Sequence, residues 1–377
     1  PHQIQLCDEW VKLGVKLSFI ETLNIDKKTL PTGWKFIGNR DYLVSYDTFI
    51  NEQERIRKDI LDADAVILGS APKQLLSVRL KSGKLTFIYS ERIYKNLKAL
   101  LKWPYHFLKF RRIYGRYSNL HLLCASAFSA ADYRMVGCFK DKAYKWGYFT
   151  KVNEKYTVEE PLSVSTSETL HAFMWCARFL KLKHPELPVQ MAARLKAKGY
   201  KFVLDMYGSG VELENAQKLA RKLGVENLIS FKGDTPNDEV LNAMREHEIF
   251  LFTSDKNEGW GAVANEAMSN GCVLVGSSAI GSVPFLLKDG VNGCIFQSGN
   301  IDSLISRVEW LLDHDDERKQ IAMNGYNTMK NLWSPKYAAQ SFLKLVECLR
   351  KGMETPYEEG PCSKAKVLRN NWYKEKK

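Results

Sequence analysis

The sequence predicts an α/β fold of two doubly wound domains, and three observations support that prediction. The chain has 377 residues, and a domain averages roughly 150 residues. Short apolar runs alternate with helical patterns along both halves, as expected of strands and helices packed in layers. A polar stretch at 151–168, which contains Pro161, Ser163, Ser165, Thr166 and Ser167, separates the halves and is the best linker candidate. We therefore expect domains at 1–165 and 166–334, followed by a crossover helix and basic tail at 335–377.

The second half has the more regular pattern. Six short apolar runs have the length and composition of buried parallel strands. They lie at 172–176, 202–207, 228–231, 249–252, 273–275 and 294–296. Helical patterns alternate with them at 211–223, 238–245, 262–270 and 283–287. From 301 onward the chain is wholly helical, and we expect its last helix, near 335–350, to pack on the first domain.

The first half alternates less cleanly. Strand-like runs lie at 17–20, 42–45, 65–68, 85–89 and 120–124. Helical patterns lie at 4–13, 51–61 and 126–136. Because Pro1 and His2 fall where a strand-to-helix turn belongs, we expect a first strand to precede Pro1.

Charge and composition narrow the choice of partner and compartment. The net charge is +12, which favours an anionic partner such as nucleic acid, a membrane surface or a phosphate-bearing substrate. No apolar run of about 20 residues and no signal peptide is visible, so we expect a cytoplasmic protein. None of the eight cysteines lies in a C-x-x-C pair. The cysteines are therefore expected to be buried free thiols in a reducing compartment.

The richest segment is the glycine-rich turn at 257–271, which follows the apolar strand at 249–252. Gly259 and Gly261 allow a sharp turn and a close backbone approach to a ligand. The helix that begins near Ala262 would direct its free N–H groups toward a phosphate or pyrophosphate. Glu258 and Glu266, eight residues apart, can accept hydrogen bonds from sugar hydroxyls at opposite ends of one bound molecule.

In this segment the chain resembles the retaining glycosyltransferases of family 4, whose E-x7-E motif matches Glu258 to Glu266. That family has the GT-B fold, in which two doubly wound Rossmann-like domains face a cleft and the C-terminal helix crosses back to the first domain. Further matching landmarks follow in order between about 170 and 330. They are Arg178 and Lys183, the turn Gly208-Ser209-Gly210, Phe231-Lys232-Gly233, Ser254, and Asp289-Gly290 to Asn292-Gly293.

The resemblance implies a site in the second domain that uses a nucleotide-sugar donor without a metal or other cofactor. It implies that Arg178 and Lys183 hold the pyrophosphate, that Glu258 orients the sugar, and that Glu266 holds the ribose. Charged groups placed where charge develops on the departing diphosphate lower the barrier. The further donor-binding candidates are Gly208, Ser209, Gly210, Lys232, Gly233, Asp234, Gly259, Trp260, Gly261, Ala262 and Val263. It also implies retention of configuration, with a UDP-sugar favoured over a GDP-sugar.

Three positions depart from the family pattern. Ala177 stands where the family usually has Gly before the arginine, and His184 stands where it usually has Gly after the lysine. Trp260 replaces the commoner Phe. The charged groups remain in place; these departures leave open whether Lys181 or Lys183 faces the site, and Lys183 is the one that fits the spacing.

The acceptor pocket is expected at strand ends of the first domain, where His2, Ser90 and Glu91 are the candidates. Glu91 or His2 could assist the acceptor proton, although pairing of Glu91 with a nearby Arg or Lys is an equally good interpretation. The Asp62-Ala63-Asp64 triplet resembles the metal-binding triplet of another glycosyltransferase class. Because it directly precedes the strand at 65–68, we interpret it as a solvated turn and expect no metal site.

Basic and aromatic residues alternate in the segment 91–117, which Pro104 divides into two short helices. This combination favours contact with an anionic membrane surface at the inner face of the cell membrane, and an acceptor that is lipid-linked or a polysaccharide. Core packing of the aromatics is the alternative. No nucleic-acid-binding module is visible. A nucleotide-sugar epimerase or phosphorylase, and a catalytically silent membrane-associated scaffold, remain alternatives to a hexosyltransferase.

Overall fold

A computed structural model of the chain describes residues 3–24, 40–69, 72–154 and 170–373. The chain divides into two compact units, one formed by Pro1–Phe149 and Pro335–Arg369 and the other by Thr150–Ser334 and Asn370–Lys377. Candidate residue His2 and most of the expected linker lie outside the described residues.

The division corrects two expected boundaries. The second unit begins at Thr150 rather than near 166, because Asn153 is held there: its carbonyl oxygen accepts a hydrogen bond from Tyr326, at 2.9 Å. The basic tail is not a single appendage either. Its end belongs to the second unit, where Trp372 Nε1 donates to Ser278 O at 2.9 Å and Tyr373 OH donates to Ile295 O at 2.6 Å.

The first unit contains a parallel sheet with the strand order β3-β4-β5-β6 and a separate parallel pair, β1-β2. The strands are β1 Phe19–Ile20, β2 Leu43–Val44, β3 Ala65–Leu68, β4 Leu85–Ser90, β5 Leu120–Cys124 and β6 Ala143–Lys145. The helices are α1 Ile4–Lys12, α2 Tyr46–Asn51, α3 Gln53–Asp62, α4 Lys73–Lys81, α5 Leu97–Leu101, α6 Trp103–Tyr114, α7 Ser129–Met135 and α15 Pro335–Arg350. All five residues of β5 are buried, as its continuous apolar run predicts for a central parallel strand.

Helix α15 packs within the first unit. Trp10 on α1 donates its indole N–H to the carbonyl oxygen of Ala339, at 3.1 Å. The Trp10 ring also lies 5.2 Å from that of Phe342, which contacts Phe87 of β4 at 5.0 Å between ring centroids. The last helix therefore belongs to the core of the first unit, although 185 residues of the second unit, Thr150–Ser334, come before it.

The second unit is a six-stranded parallel sheet with the order β12-β11-β10-β7-β8-β9. Its strands are β7 His171–Cys176, β8 Phe202–Tyr207, β9 Ile229–Gly233, β10 Ile249–Phe252, β11 Val273–Ser277 and β12 Cys294–Phe296. Its helices are α8 Glu186–Ala197, α9 Leu213–Lys222, α10 Asn237–Glu246, α11 Val263–Ser269, α12 Val283–Leu286, α13 Ile301–Asp313 and α14 Asp315–Asn331. The first three strands run outward in one direction and the next three in the other, which confirms the predicted doubly wound sheet. Such a sheet binds ligands beyond the carboxyl ends of the two strands where the order reverses, here β7 and β10.

Candidate donor site

The loops that follow β7 and β10 are tied to each other at this reversal point. Trp175 Nε1 donates to the hydroxyl of Thr253 at 2.9 Å, and that hydroxyl donates to the carbonyl oxygen of Lys183 at 2.7 Å. The amide N–H of Asp255 donates to the carbonyl oxygen of Leu182 at 2.9 Å. These contacts hold a short 3-10 turn, Lys181–Lys183, against the segment that carries Ser254 and Glu258.

Lys183 and Glu258 form an ion pair in which both side chains are largely buried, with 15% and 13% of their surface exposed. Ser254 Oγ donates to the same carboxylate oxygen, Glu258 Oε2, at 3.1 Å. Lys181, in the same turn, is exposed. Of the two lysines, Lys183, which fits the expected spacing, is therefore the one that pairs with Glu258.

Arg178 lies two residues beyond the end of β7 and is exposed. Within the described part of the chain, no carboxylate pairs with its guanidinium. A guanidinium of this kind remains free to form a bidentate contact with phosphate oxygens.

The predicted turn Gly208-Ser209-Gly210 lies directly against the loop after β7. The amide N–H of Phe179 donates to the carbonyl oxygen of Ser209 at 2.7 Å. Gly208 has a φ of +115°, and a Cβ there would lie 2.1 Å from the carbonyl oxygen of Ala177. Gly210 has a φ of +144°, and its Cβ would lie 2.5 Å from the carbonyl oxygen of Phe179. Both positions therefore require glycine, for backbone conformation and for space.

The residues near the end of β9 are engaged with neighbours. Lys232 Nζ lies 3.1 Å from Asp205 Oδ2, so its charge is already paired. Ser209 Oγ donates to Asp234 Oδ2 at 2.7 Å. The carbonyl oxygen of Gly233, whose φ is +69°, accepts the amide N–H of Gly208 at 2.7 Å. These residues connect the turn after β8 to the turn after β9, and the paired Lys232 is the weakest of the donor-binding candidates.

The turn before α11 agrees with the prediction in its glycines but differs in the position of the Trp260 side chain. Gly261 has a φ of +75°, and a Cβ there would lie 2.3 Å from the Phe252 ring. Gly259 is buried, whereas Ala262 and Val263 are partly exposed at the start of α11. Trp260 was predicted to bind the donor. Its side chain is instead fully buried and donates from Nε1 to Asn265 Oδ1 at 2.8 Å. Its indole packs in the interior, 5.4 Å from the Trp333 ring, and is not available to a ligand.

Glu266 lies in the first turn of α11 and is mostly buried. Its desolvation raises the pKa of the carboxyl group from 4.5 to about 7. The charge of Glu266 in turn helps to raise the pKa of Cys176, after the larger effect of burial. Glu266 therefore lies near the carboxyl end of β7, and among the described residues no hydrogen-bond donor pairs with its carboxylate. An unpaired carboxylate in such a place can accept hydrogen bonds from hydroxyl groups of a ligand.

His184 was noted in the sequence only as a departure from the family pattern, and its role at the site was missed. It adopts a left-handed conformation, with a φ of 51°, at the end of the 3-10 turn. Its imidazole Nδ1 lies 2.6 Å from Glu186 Oε1, and its Nε2 lies 3.7 Å from Asp255 Oδ2. The signal in the sequence that could have indicated this role was the imidazole side chain of His184 at a position where the family usually has Gly.

The first unit gathers polar groups at the end of β4. Glu91 Oε2 lies 2.7 Å from Lys95 Nζ, and Glu91 Oε1 accepts from Tyr148 OH at 2.9 Å. Ser90 Oγ donates to the carbonyl oxygen of Glu91 at 2.8 Å and lies 3.1 Å from Tyr133 OH. Glu91 is therefore paired with Lys95, as one of the two interpretations expected, and Ser90 and Glu91 are joined in one hydrogen-bonded cluster.

The carboxylates considered for a metal do not cluster. Asp62 ends α3, and Asp64 lies 3.1 Å from Arg350 in an exposed ion pair. Among the residues for which the structure gives positions, no three His, Cys, Asp or Glu side chains are grouped closely enough to bind a metal ion.

All eight cysteines are free thiols, and seven of them are buried. In the same part of the chain, every helix is too short or too polar to cross a bilayer.

The basic aromatic segment 91–117 forms two helices, α5 and α6, as predicted from Pro104. None of the twelve residues of α6 is fully buried. Trp103 Nε1 donates to the carbonyl oxygen of Met135, which anchors the start of α6 against α7. The exposed apolar side chains in this region are Leu100, Leu101, Trp103, Tyr105, Leu108 and Met135, which we call the apolar patch. Arg92, at the start of this segment, is buried beside Asp132 and over the Phe128 ring, so it does not contribute to the exposed basic surface.

Comparison with known proteins identifies the class of this domain. Residues 164–328 match the family model described as "Glycosyl transferases group 1". The D-inositol 3-phosphate glycosyltransferase of Corynebacterium aurimucosum is 29% identical over 147 residues, which are 37% of this chain and 34% of that protein. The lipopolysaccharide core biosynthesis glycosyltransferase LpsE of Rhizobium meliloti is 25% identical over 173 residues, which are 46% of this chain and 48% of that protein. The chain thus matches between a third and a half of the length of these relatives.

A solved structure extends the likeness of fold to most of the chain. The crystal structure of HepE from Anabaena in complex with UDP has a TM-score of 0.62 and 14% sequence identity, and covers 82% of this chain and 92% of that chain. The chain therefore has the GT-B fold, and residues 164–328 are similar to the group 1 glycosyltransferases. Both conclusions confirm what the motifs around Glu258 and Glu266 predicted.

Proposed function

We propose that this chain is a retaining hexosyltransferase that transfers a sugar from a UDP-sugar to a lipid-linked or polysaccharide acceptor. The observation that carries the proposal is the meeting of Arg178, Lys183, Glu258 and Glu266 around the carboxyl ends of β7 and β10. This point of a doubly wound sheet is where nucleotides bind. A catalytically silent scaffold predicts loss of these charged groups, whereas both cations and both carboxylates are present.

The cations act on the leaving group. Cleavage of the sugar–phosphate bond builds negative charge on the departing diphosphate, and fixed positive charges lower the barrier to that change. The exposed guanidinium of Arg178 suits a bidentate contact with phosphate oxygens, and the Lys183 ammonium adds a point charge. In this proposal the two side chains, with N–H groups near Gly261 and Ala262, neutralise the leaving group without a metal.

The carboxylates act on the rest of the donor. When the diphosphate engages Lys183, the Glu258 carboxylate loses its ion-pair partner and becomes available to hydroxyls of the donor sugar. The Glu266 carboxylate near the end of β7 would accept hydrogen bonds from the ribose. Retention by attack from the face that the diphosphate leaves is supported by the resemblance of the E-x7-E motif, and gives Glu258 an orienting role and not a covalent one.

The similar proteins support the choice of donor and acceptor. HepE was crystallised with UDP, which favours a UDP-sugar for this chain over a GDP-sugar. The relatives named for lipopolysaccharide core biosynthesis and for D-inositol 3-phosphate support a saccharide or phosphate-bearing acceptor. Ser90 and Glu91 are the proposed acceptor contacts in the first unit, and the Tyr148 and Lys95 contacts of Glu91 fix its orientation.

The apolar patch supports a membrane location for that acceptor. Large apolar side chains exposed beside Lys98, Lys102, Arg111 and Arg112 match the composition of helices that lie in an anionic bilayer surface. Cationic side chains near such a surface add attraction to anionic lipid headgroups. We therefore propose peripheral binding at the inner face of the cell membrane, where a lipid-linked acceptor would meet the enzyme.

Thermal stabilisation by UDP, GDP, UDP-sugars and GDP-sugars tests the donor site, because a ligand that binds only the folded state raises the unfolding midpoint. We expect stabilisation by UDP compounds, and loss of that stabilisation in Glu266→Ala. Lys181→Ala is the control, because Lys181 is exposed and lies in the 3-10 turn beside Lys183 without joining the ion pair. Absence of stabilisation by every nucleotide would contradict the proposed function and favour a silent scaffold.

A further inference from the structure

His184 has a left-handed backbone conformation, which strains residues other than Gly and is uncommon for them, although Asn, Asp and His adopt it more often than other side chains do. A Gly at this position would have no such strain. Strained residues persist where surrounding contacts hold them, and they cluster at functional sites. The contacts of the imidazole therefore indicate its role.

Those contacts join the two loops of the donor site. On one side, imidazole Nδ1 lies 2.6 Å from Glu186 Oε1 at the start of α8. On the other side, Nε2 lies 3.7 Å from Asp255 Oδ2, in the loop after β10. The carbonyl oxygen of His184 also lies 3.3 Å from Thr253 Oγ1, the hydroxyl that binds the Lys183 carbonyl.

Asp255 links this cross-connection to Glu258. Its carboxylate accepts the amide N–H of Asn257 at 2.7 Å, and its carbonyl oxygen accepts the amide N–H of Glu258 at 3.1 Å. The Asp255 side chain thus shapes the turn from which the Glu258 carboxylate projects. His184 is the next residue after Lys183, so it is adjacent to both partners of the central ion pair.

We propose that His184 is a positioning residue, whose imidazolium joins Glu186 to Asp255 and so holds Lys183 and Glu258 in the geometry that receives the donor diphosphate. This inference rests on the proposed function, although the connection between the loops can be measured without any ligand. The residue reaches no substrate itself in this arrangement. It acts through Asp255 and through the backbone of the Lys183 turn.

The charge of the imidazole gives the connection a pH dependence. The hydrogen bond to Glu186, followed by the charges of Glu186 and Asp255, raises the pKa of His184 above 6.5 and outweighs the opposing effect of burial. Because the folded-state pKa is raised, the stabilising contact is fully present below about 6.5, the ordinary histidine value. It is lost as the pH rises through the higher folded-state pKa. The charged groups that face the imidazole are Glu186 on α8 and Asp255 on the loop, while Lys183 precedes it in its own turn.

Hydrogen exchange of the unliganded protein tests the connection directly. In His184→Gly, which relieves the backbone strain, we expect the amide N–H groups of Asp255 and Glu258 to lose about tenfold in protection at pH 6, consistent with loss of a charge-assisted contact. The loss should shrink as the pH rises through the raised folded-state pKa, because the wild-type imidazole then loses its charge. His184→Asn, which tolerates the left-handed conformation, provides a second variant, and His314→Asn is the matched control. Unchanged protection in both His184 variants at pH 6 would overturn the proposal.

Binding of UDP tests the consequence for the donor site. We expect His184→Gly to bind UDP about tenfold more weakly than wild type at pH 6, with a difference that narrows as the pH rises through the folded-state pKa of His184. Lost protection combined with unchanged UDP affinity at pH 6 would overturn the positioning role. If the wild type binds no nucleotide, the proposed function fails, and hydrogen exchange alone then decides whether His184 holds the loop.

Discussion

The Lys183 ammonium group contacts the Glu258 carboxylate, although 75 residues separate them in the chain. The pair bridges the loops after β7 and β10, and Ser254 Oγ donates to the same carboxylate oxygen. Both side chains are largely buried, so each would be costly to leave without the other. A diphosphate that engages Lys183 must replace this partner, which couples phosphate binding on one loop to release of the carboxylate on the other.

Lys183→Ala is expected to weaken UDP binding by about 10- to 100-fold, since a hydrogen bond to a charged group contributes about 1.5–3 kcal/mol. Isothermal titration calorimetry measures this change. Lys181→Ala removes a lysine from the same 3-10 turn but not from the ion pair, and should change affinity less than about twofold. Equal effects of the two substitutions would show that Lys183 has no special contact with the diphosphate.

Glu258→Gln separates the proposed role of Lys183 in phosphate binding from the proposed role of Glu258 in orienting the donor sugar. The substitution leaves the Lys183 ammonium free for phosphate, so UDP affinity should hold or rise. Release of UDP from a UDP-sugar should fall by roughly 100-fold or more, as for loss of a group that stabilises the transition state. A large loss of UDP affinity in Glu258→Gln would contradict this division of roles.

Nucleotide binding is expected to release a proton from Glu266 near pH 7. Burial raises the pKa of this carboxyl to about 7, so about half of the free protein is protonated at that pH. Ribose hydroxyls that donate to the carboxylate favour its charged form and lower the pKa on binding. The Glu266 contribution to affinity therefore grows as the pH rises through 7.

Calorimetry of UDP binding in two buffers of different ionisation enthalpy measures the proton number. Glu266→Gln is the control, because it retains the shape of the side chain but cannot titrate. Protons exchanged by the UDP phosphate are common to both proteins, so the difference between them reports on Glu266. An identical proton number in wild type and variant would exclude a contact between the ribose and an ionising Glu266.

Gly208→Ala tests the close approach of the two turns at the site. The added Cβ would lie 2.1 Å from the carbonyl oxygen of Ala177, so the backbone must move. We expect a loss of about 3 kcal/mol or more in the free energy of unfolding, measured with urea, together with weaker UDP binding.

The matched control is Gly224→Ala, at a glycine whose φ is +65° and whose Cβ would meet nothing within 4 Å. Only the conformational cost of about 1–2 kcal/mol should appear there, with UDP affinity unchanged. Similar losses at the two positions would mean that backbone strain alone, and not the contact with Ala177, makes Gly208 necessary.

The sequence predicted the strands best where a strand is a continuous apolar run. The bounds of β8, β10 and β12 agree with the prediction, because such runs can be accommodated only in the interior of a parallel sheet. Strand β6 was missed, since it has three residues and is flanked by Lys364, which pairs with Tyr144 from the far end of the chain. Helix α8 was also missed; Pro185 lies at its N-cap and Pro188 in its first turn, where proline is tolerated.

At the site, the sequence indicated which residues were present but not what surrounds them. The E-x7-E spacing placed Glu258 and Glu266 on one turn and helix, and this depends only on local structure. Burial of Trp260 depends on Trp333, 73 residues later, which no local pattern reveals. The raised pKa of Glu266 and the cross-connection made by His184 likewise arise only when β7 and β10 become neighbours in the sheet.

The apolar patch should bind vesicles of phosphatidylglycerol and not of phosphatidylcholine, and added salt should weaken that binding. Leu101 and Leu108 are 73% and 72% exposed, so a double substitution to Glu leaves the core intact and places charge where lipid would be. We expect co-sedimentation of the variant with phosphatidylglycerol vesicles to fall at least tenfold, since burial of each leucine contributes about 1.5–3 kcal/mol. Val211→Glu, at a residue 79% exposed in the other unit, should bind as wild type does. If the double variant retains both its vesicle binding and its salt dependence, the attraction is carried by the basic side chains alone and the apolar patch is not the docking surface.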